Sequence, residues 1–310
     1  MSKLRGCISL ASVLVVGLSF EAACAEQPAT DKIKVVIIDG RNNHDWRATT
    51  PHMQRVLEES GRFRVDVSTM PQPDGSQPPT KNSVRFPPDL SQYQVVLSNY
   101  NNIFDGTPWP ASLQKDLEQY VKSGKVGLVI VHGANNAHQN WKEYNRMIGM
   151  GWRDPKFGDR LIVDASGKEV RIPKGKGPGA SHGPRHAFLI TVRDPEHPIT
   201  RGMPHEWLHA TDELYHGMRG PIEQVHLLAT AYSDKKYNGT GAHEPMIWTV
   251  TYGQGRVFHT PMGHDLEAMR CVGFIATLQR GTEWAATGKV TLPMPDNFPT
   301  ATKTSSEAAK

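Results

Sequence analysis

Three places in this 310-residue sequence set imidazoles or carboxylates where they could move protons or hold a cation. His132 follows the apolar run Leu128-Val129-Ile130-Val131, which delivers it to the first position past a buried strand, and Gly133 permits a tight turn there. Asp212-Glu213-Leu214-Tyr215 puts two acids beside a phenol, and acids this close split their pKa values, one staying ionised while the other donates a proton. Glu213 and His216 lie three apart and share a face if that turn is helical. Gly263-His264-Asp265 follows the strand-like Arg256-Val257-Phe258-His259, and an aspartate next to an imidazole orients it for acid–base work or metal binding. The catalytic candidates are therefore His132, Glu213, His264, Asp212 and Asp265. Of these, His132, Glu213 and His264 also form a His/His/Glu set able to hold a divalent metal, zinc foremost, with one position open.

A second group suits contacts with a hydroxylated ligand. Asn42-Asn43-His44-Asp45-Trp46 offers donors, an acid and an aromatic plate, and Asn101, His186 and Tyr215 are expected to face the same cleft. The substrate-binding candidates are thus His44, Asp45, Trp46, Asn101, His186 and Tyr215; one of Trp46, Trp109, Trp141 and Trp152 is expected to stack on a sugar face. There is no G-x-S-x-G elbow between a strand and a helix, no cysteine after the fourth strand, no Walker lysine loop, and no G-x-G-x-x-G after the first strand. Serine or cysteine acyl chemistry and a nucleotide cofactor both lose their usual machinery, which leaves histidine with carboxylate.

The elements that must position these groups can be read from periodicity. Ile33 to Asp39 is a β-branched run closed by Gly40; a helix is expected from about Thr50 to Ser60, started by Thr49/Thr50 with Pro51 in its first turn; Phe63 to Val67 alternates as a second strand. Met70 to Pro88 reads as a long surface loop. Gln94 to Ser98 is a third strand, Leu113 to Val121 has helical spacing, and Val126 to Val131 is the fourth strand. Gly158 to Pro184, rich in glycine and proline, reads as an inserted loop or lid carrying Ser181-His182-Gly183. Strand signals return at Ala187 to Val192, Val225 to Ala229, Met246 to Tyr252 and Gly255 to His259, before a closing helix from Leu266 to Ala286 with Cys271 buried in it. Strands alternating with single helices predict an α/β protein, a flavodoxin-like or Rossmann-like three-layer sandwich with a mostly parallel central sheet. Ligands bind such sheets at the carboxyl ends of the strands, so the polar clusters after strands one, three and four should share one rim.

Lys3 and Arg5 precede an apolar stretch from Cys7 to Phe20 and the small triplet Ala23-Cys24-Ala25, the pattern of a signal peptide cleaved after residue 25. The expected organisation is a signal peptide over 1–25, a linker over 26–31, one catalytic-type domain over 32–290 and a flexible tail over 291–310. The mature protein would be periplasmic or secreted and free of the membrane; a lipid on Cys24 is disfavoured by Glu21 in the place of an apolar residue. Export removes Cys7 and Cys24 and leaves only Cys271, so no internal disulfide can form. A formal charge of +4 from 35 basic and 31 acidic residues, without a long basic run, argues against nucleic acid as a partner.

The ordered set Asp39-Gly40 with His44-Asp45-Trp46, Val131-His132-Gly133, His197-Pro198-Ile199, Asp212-Glu213-Leu214-Tyr215, Gly255-Arg256-Val257-Phe258 and Gly263-His264-Asp265 resembles the trehalose-utilisation (ThuA-like) family, over roughly Lys32 to Gly288. The resemblance implies a class I glutamine amidotransferase-like fold and a role in sugar metabolism. In amidotransferases of that fold the corresponding strand leads into a nucleophilic cysteine, whereas here it leads into His132, so glutaminase activity is not expected. The expectation is an exported enzyme acting on a small carbohydrate. It would be a sugar or keto-sugar glycoside, processed by metal-assisted or His/carboxylate acid–base chemistry: isomerisation, elimination, or hydrolysis pairing Asp212 or Glu213 with Asp265. The alternative is a non-catalytic carbohydrate-binding or sensor protein on the same fold. Whether a homo-oligomer completes the rim is left open.

Overall fold

The first apolar run forms strand β1 (Ile33–Asp39), and its alternate residues divide between two cores. Val35 and Ile37 pack with Met53, Leu57 and Phe274, whereas Val36 and Ile38 pack with Leu113, Leu117 and Tyr144. A strand buried on both faces needs apolar residues at every position, which is why the run reads as continuous rather than alternating.

The computed structural model describes residues 32–72 and 83–308. The expected signal peptide, linker and Cys24 site lie outside the described residues, as does much of the expected surface loop. After β1 come helix α1 (Trp46–Glu59), β2 (Phe63–Thr69), the two-residue β3 (Ser83–Val84), β4 (Val95–Ser98), α2 (Ala111–Lys122) and β5 (Gly127–Val131). Then follow α3 (Lys142–Ile148), β6 (Arg160–Val163), β7 (Glu169–Ile172), β8 (Ser181–His182), β9 (His186–Val192), β10 (Glu206–Asp212) and β11 (Tyr215–His216). The chain continues through β12 (Val225–Tyr232), β13 (His243–Tyr252), β14 (Gly255–Thr260), α4 (Leu266–Met269) and α5 (Val272–Thr287).

One sheet runs in the order β10-β9-β12-β13-β14-β5-β4-β1-β2-β3, with β6 and β7 attached beside β13. From β14 to β3 every neighbouring pair is parallel, and β10, β9, β12 and β13 extend the sheet as antiparallel strands. Helices α1 and α5 cover one face and α2 and α3 the other, giving the α/β three-layer sandwich. The order reverses between β1 and β4, since the chain leaves β1 for β2 on one side and returns to β4 on the other. Ligand crevices of open α/β sheets lie at such a reversal. No helix among the described residues is long and apolar enough to cross a membrane.

Several expectations are corrected. Helix α1 starts at Trp46, four residues earlier than expected, because Asp45 rather than a threonine caps it by accepting from Ala48 N at 3.2 Å. The expected lid over Gly158 to Pro184 contains three strands; Arg160 pairs with the buried Glu244, and Arg219 donates to the carbonyls of Pro178 and Gly158, so the excursion is fastened to the body. The closing helix is two helices, with Cys271 as the N-cap residue of α5 instead of an interior residue. The tail beyond Pro299, expected to fray, is hydrogen bonded to the domain: Leu208 N to Thr300 O at 2.8 Å, Val272 N to Ser305 O at 2.9 Å and Glu307 N to Arg270 O at 2.9 Å, with Arg55 on Glu307 at 2.7 Å.

Candidate functional site

The carboxyl ends of β1, β4, β5 and β14 carry His44, Asn99 to Asn101, His132 and His264, and the three polar clusters expected to share a rim do so. Asn42 is the knot. Its Nδ2 donates to the Asn99 carbonyl at 3.3 Å, while its Oδ1 accepts from Asn101 Nδ2 at 2.8 Å and from His44 Nδ1 at 3.0 Å. Since a backbone carbonyl only accepts, this fixes which way the Asn42 amide points, and therefore that His44 carries its proton on Nδ1. His132 is fixed in the same manner, its Nδ1 donating to the Pro261 carbonyl at 2.7 Å.

The backbone at His132 has φ of +42°, the left-handed region that side-chain-bearing residues avoid. The strain falls on His132 and not on Gly133, as the sequence suggested. Gly133 is required for another reason: a Cβ there would stand 2.6 Å from His44 Nδ1.

Across the cleft, β11 pairs with β8 in a separate ribbon that supplies Tyr215, His182 and, just before β11, Glu213. Glu213 lies in the two-residue link between β10 and β11 and not in a helix, so the helical pairing expected with His216 does not form; His216 bonds instead to Ser233 Oγ at 3.2 Å. Glu213 Oε1 lies 3.3 Å from His264 Nε2 and 3.4 Å from His182 Nε2, and its Oε2 lies 3.6 Å from His132 Nε2. The Tyr215 hydroxyl donates to His132 Nε2 at 2.9 Å, and His44 Nε2 approaches the same atom at 3.3 Å. His182 donates from Nδ1 to the Gly183 carbonyl at 2.8 Å, which turns its Nε2 toward Glu213. His44, His182, Glu213, Tyr215 and His264, with Trp152, line a cavity of about 320 Å³, and the buried His132 lies behind them.

Burial sets the charge states. Burial lowers the pKa of His44 to about 2, helped by the His132 and His264 rings beside it, and lowers that of His132 to about 4. Burial raises the Glu213 carboxyl above its ordinary range, against the pull of His264 and His182. It also lifts the Tyr215 hydroxyl well above its ordinary value, so the phenol keeps its proton. At neutral pH the Nε2 atoms of His44 and His132 are lone pairs, and they converge with the Glu213 carboxyl group. The donors facing them are the Tyr215 hydroxyl and the Asn43 amide, the latter 3.3 Å from His44 Nε2. Such an acceptor-rich cluster fits a cation: donor atoms of His44, Glu213 and His264 all lie within 4.8 Å of one another. This group shares Glu213 and His264 with the set expected from sequence, whose third member, His132, accepts from Tyr215 through Nε2.

The remaining candidates have other tasks. Asp212 is fully buried and turned away from the cleft. Its Oδ1 accepts from the amides of Glu213 and His264 at 2.8 and 3.1 Å, and its Oδ2 from Gly263 N at 2.7 Å and His209 Nε2 at 2.8 Å. Burial alone would raise its pKa, but these bonds, led by that from His209, hold it below the usual carboxylate range. It therefore positions Glu213 and His264 and has no free oxygen for substrate. Asp265 caps α4 through Ala268 N at 3.1 Å, is bound by Arg185 at 2.8 Å, and reaches within 3.5 Å of His264 Nδ1, where it can orient that ring. Asn101 is buried and braces Asn42, while Asp45 and the buried Trp46 belong to the start of α1. His186 stacks on Tyr237 with ring centroids 3.8 Å apart and does not line the cavity. Among the four tryptophans weighed for stacking, Trp152 lines it.

Sequence reasoning missed His182, hidden in a segment read as a lid; its signal was an imidazole isolated among glycines. The string Gly179-Ala180-Ser181-His182-Gly183 has the letters of a nucleophile elbow, yet Ser181 and His182 form β8, an exposed two-residue strand not followed by a helix.

A profile of the family described as trehalose utilisation (ThuA) matches residues 34–285. Among solved structures, a ThuA-like protein from Parabacteroides merdae is 41% identical, with a TM-score of 0.81 over 89% of this chain and 98% of that one. A ThuA-like protein from Bacteroides uniformis, 16% identical, has a TM-score of 0.56 over 88% of this chain and 98% of that one, a likeness of fold. No curated protein matches.

Proposed function

The chain belongs to the ThuA family, tied by its description to trehalose utilisation, and from that premise we propose that it is an enzyme acting on a sugar or keto-sugar glycoside. The observation that carries the reading is the convergence of His44, His182 and His264, backed by the buried His132, on the single carboxyl group of Glu213 at one polar cavity.

A divalent cation, zinc foremost, bound by His44, Glu213 and His264 would supply Lewis-acid polarisation of a sugar oxygen. Tyr215 and His132 form a relay, with the phenolic proton at one end and the Nδ1 proton anchored on Pro261 at the other. A carbonyl in the sugar acidifies the neighbouring C–H, and Glu213 is the base that takes that proton; where Glu213 serves as a ligand, the His182 imidazole beside it takes that role. The resulting enediolate either returns the proton to another carbon, which is isomerisation, or expels the group on the next carbon, which is elimination. Hydrolysis by two carboxylates has less support, since Asp212 is fully engaged and Asp265 is held by Arg185 and the α4 amide. Export through the first 25 residues is part of the same proposal and would place this chemistry outside the cytoplasm.

The test is elemental analysis of the purified protein alongside Glu213→Gln and His44→Ala, each assayed on keto-glucosides. We expect about one divalent ion per chain in the wild type, lost in both variants, and turnover reduced by about 10²-fold or more. Binding of keto-glucosides without turnover, unaffected by Glu213→Gln, would instead identify a carbohydrate sensor.

A further inference from the structure

A second cavity, about 610 Å³, opens next to the first, and Ile103 and Asn136 line both. Resting on the function proposed above, we infer that it is a subsite for a second sugar ring, so that the substrate is a glycoside of at least two units spanning the Ile103/Asn136 divide.

Its wall is chemically unlike a packing defect. Asn102, Gln114, Gln139 and Asn140 place amides in the wall; Gln114 Nε2 donates to the Trp109 carbonyl and Asn102 Oδ1 accepts from His138 N, while the exposed Gln139 and Asn140 can both donate to and accept from a ring of neutral hydroxyls. Lys142 is the one charged side chain, and there is no carboxylate to attract a cation or metal. The half-buried Trp141 adds an aromatic ring, with its Nε1 already satisfied by Glu118. Amides around an aromatic plate suit a neutral pyranose better than an anion or an apolar ligand. Both cavities fall within the roughly 300–1,000 Å³ typical of small-ligand sites.

The wall residue His138 is also costly to the fold. Its backbone has φ of +51°, and it is 4% exposed within a box of Tyr100, Trp109, Trp141 and Tyr144, with Nε2 lacking a hydrogen-bond partner. A strained, aromatic-boxed imidazole is an expensive way to close a loop, and such cost gathers where a ligand is held. At the divide the apolar Ile103 is 42% exposed and the adjacent Phe104 80% exposed, offering surface to the edge of a ring crossing between cavities.

Calorimetry in the Glu213→Gln background, where turnover is expected to fall by about 10²-fold or more, tests the assignment with two probes: a one-ring methyl keto-glucoside and a two-ring keto-disaccharide. The two-ring probe should bind about tenfold tighter, and the Gln139→Ala/Asn140→Ala pair, both exposed and so safe for folding, should reduce that ratio to about twofold or less. Trp141→Phe should lower the ratio less than the amide pair does. Equal binding of both probes, or a ratio untouched by the amide substitutions, overturns the subsite and leaves the proposed function standing. Failure of either probe to bind, with no turnover of either by the wild type, overturns both.

Discussion

Gly133→Ala tests the geometry of the site through a residue that has no side chain to contribute. The new Cβ would lie 2.6 Å from His44 Nδ1 and 3.0 Å from Asn42 Oδ1. Unstrained contact begins near 3.5 Å, so the imidazole must withdraw by about 0.9 Å. Gly133 does not occupy the left-handed region, and the alanine backbone itself is therefore tolerated. The withdrawal stretches the 3.0 Å bond that fixes the His44 tautomer, and moves Nε2 away from its place opposite Glu213 and His264. Loss of an outer partner of this kind costs a metal site about 10- to 100-fold in affinity, and a displacement near 1 Å costs a reaction about 10²-fold. The fold should lose about 1–3 kcal/mol from overpacking and the weakened bond. Zinc titration, turnover of a keto-glucoside and urea denaturation on the same preparation separate these effects. A variant that binds zinc and turns over sugar like the wild type would refute the argument that His44 is held by this contact.

Other expectations concern the framework. Asp212→Asn leaves a buried His209 without its anion and should cost about 3–5 kcal/mol in urea unfolding; a loss below about 1 kcal/mol would show that the pair is not buried as described. The same pair predicts a pH profile. Burial opposes a charged His209, but Cys271 and Asp212 raise its pKa above 6.5, so its contribution is full below 6.5 and is lost on the alkaline side. Asp212, held below 3.8, contributes above that value and loses its share as pH falls. The urea midpoint should accordingly decline as pH rises above 6.5, and Asp212→Asn should flatten that decline. Arg280 donates to the carbonyls of Pro198, Ile199, Arg201 and Leu292, so Arg280→Met should lower the unfolding free energy by about 2–5 kcal/mol while zinc binding per folded molecule is unchanged. Ending the chain after Pro299 should cost about 3 kcal/mol through the three backbone bonds it removes, and a midpoint equal to the wild type would return the tail to the frayed state expected from its composition.

The parallel half of the sheet was legible because its strands are apolar on both faces. Ile33–Asp39 and Gly127–Val131 admit no other reading, and the residues just past them had to sit on one rim. In the antiparallel half β9, β12 and β13 were read as strands as well, but β10 was not. Glu206–Asp212, Glu-Trp-Leu-His-Ala-Thr-Asp, mixes polar and apolar residues because its buried imidazole and carboxylate satisfy each other, a pairing that periodicity cannot register. Missing that strand hid the assignment of the two acids: neighbouring residues in an extended chain face opposite sides, so Asp212 and Glu213 could not both enter the cleft. Turn-rich composition likewise concealed β6, β7 and β8, whose pairing is made by backbone and buried arginines. His132, Glu213 and His264 were found because each adjoins a recognisable apolar run or acid cluster, and His182 was not because it adjoins neither.

The cluster is drawn from positions 44, 132, 182, 213 and 264, spread over most of the chain. During synthesis from the amino end, a fifth of its imidazole and carboxylate donors is still missing until residue 264 has been added. No shorter fragment can present the full set to a metal ion, and an ion captured early by loose histidines gains little from them. Completed coordination would thus be a late event that reports a finished fold. Because a ligand that binds the folded chain stabilises it by mass action, the ion would act as a seal on the two banks of the cleft, visible as slowed amide exchange in β11 and in the turn after β14.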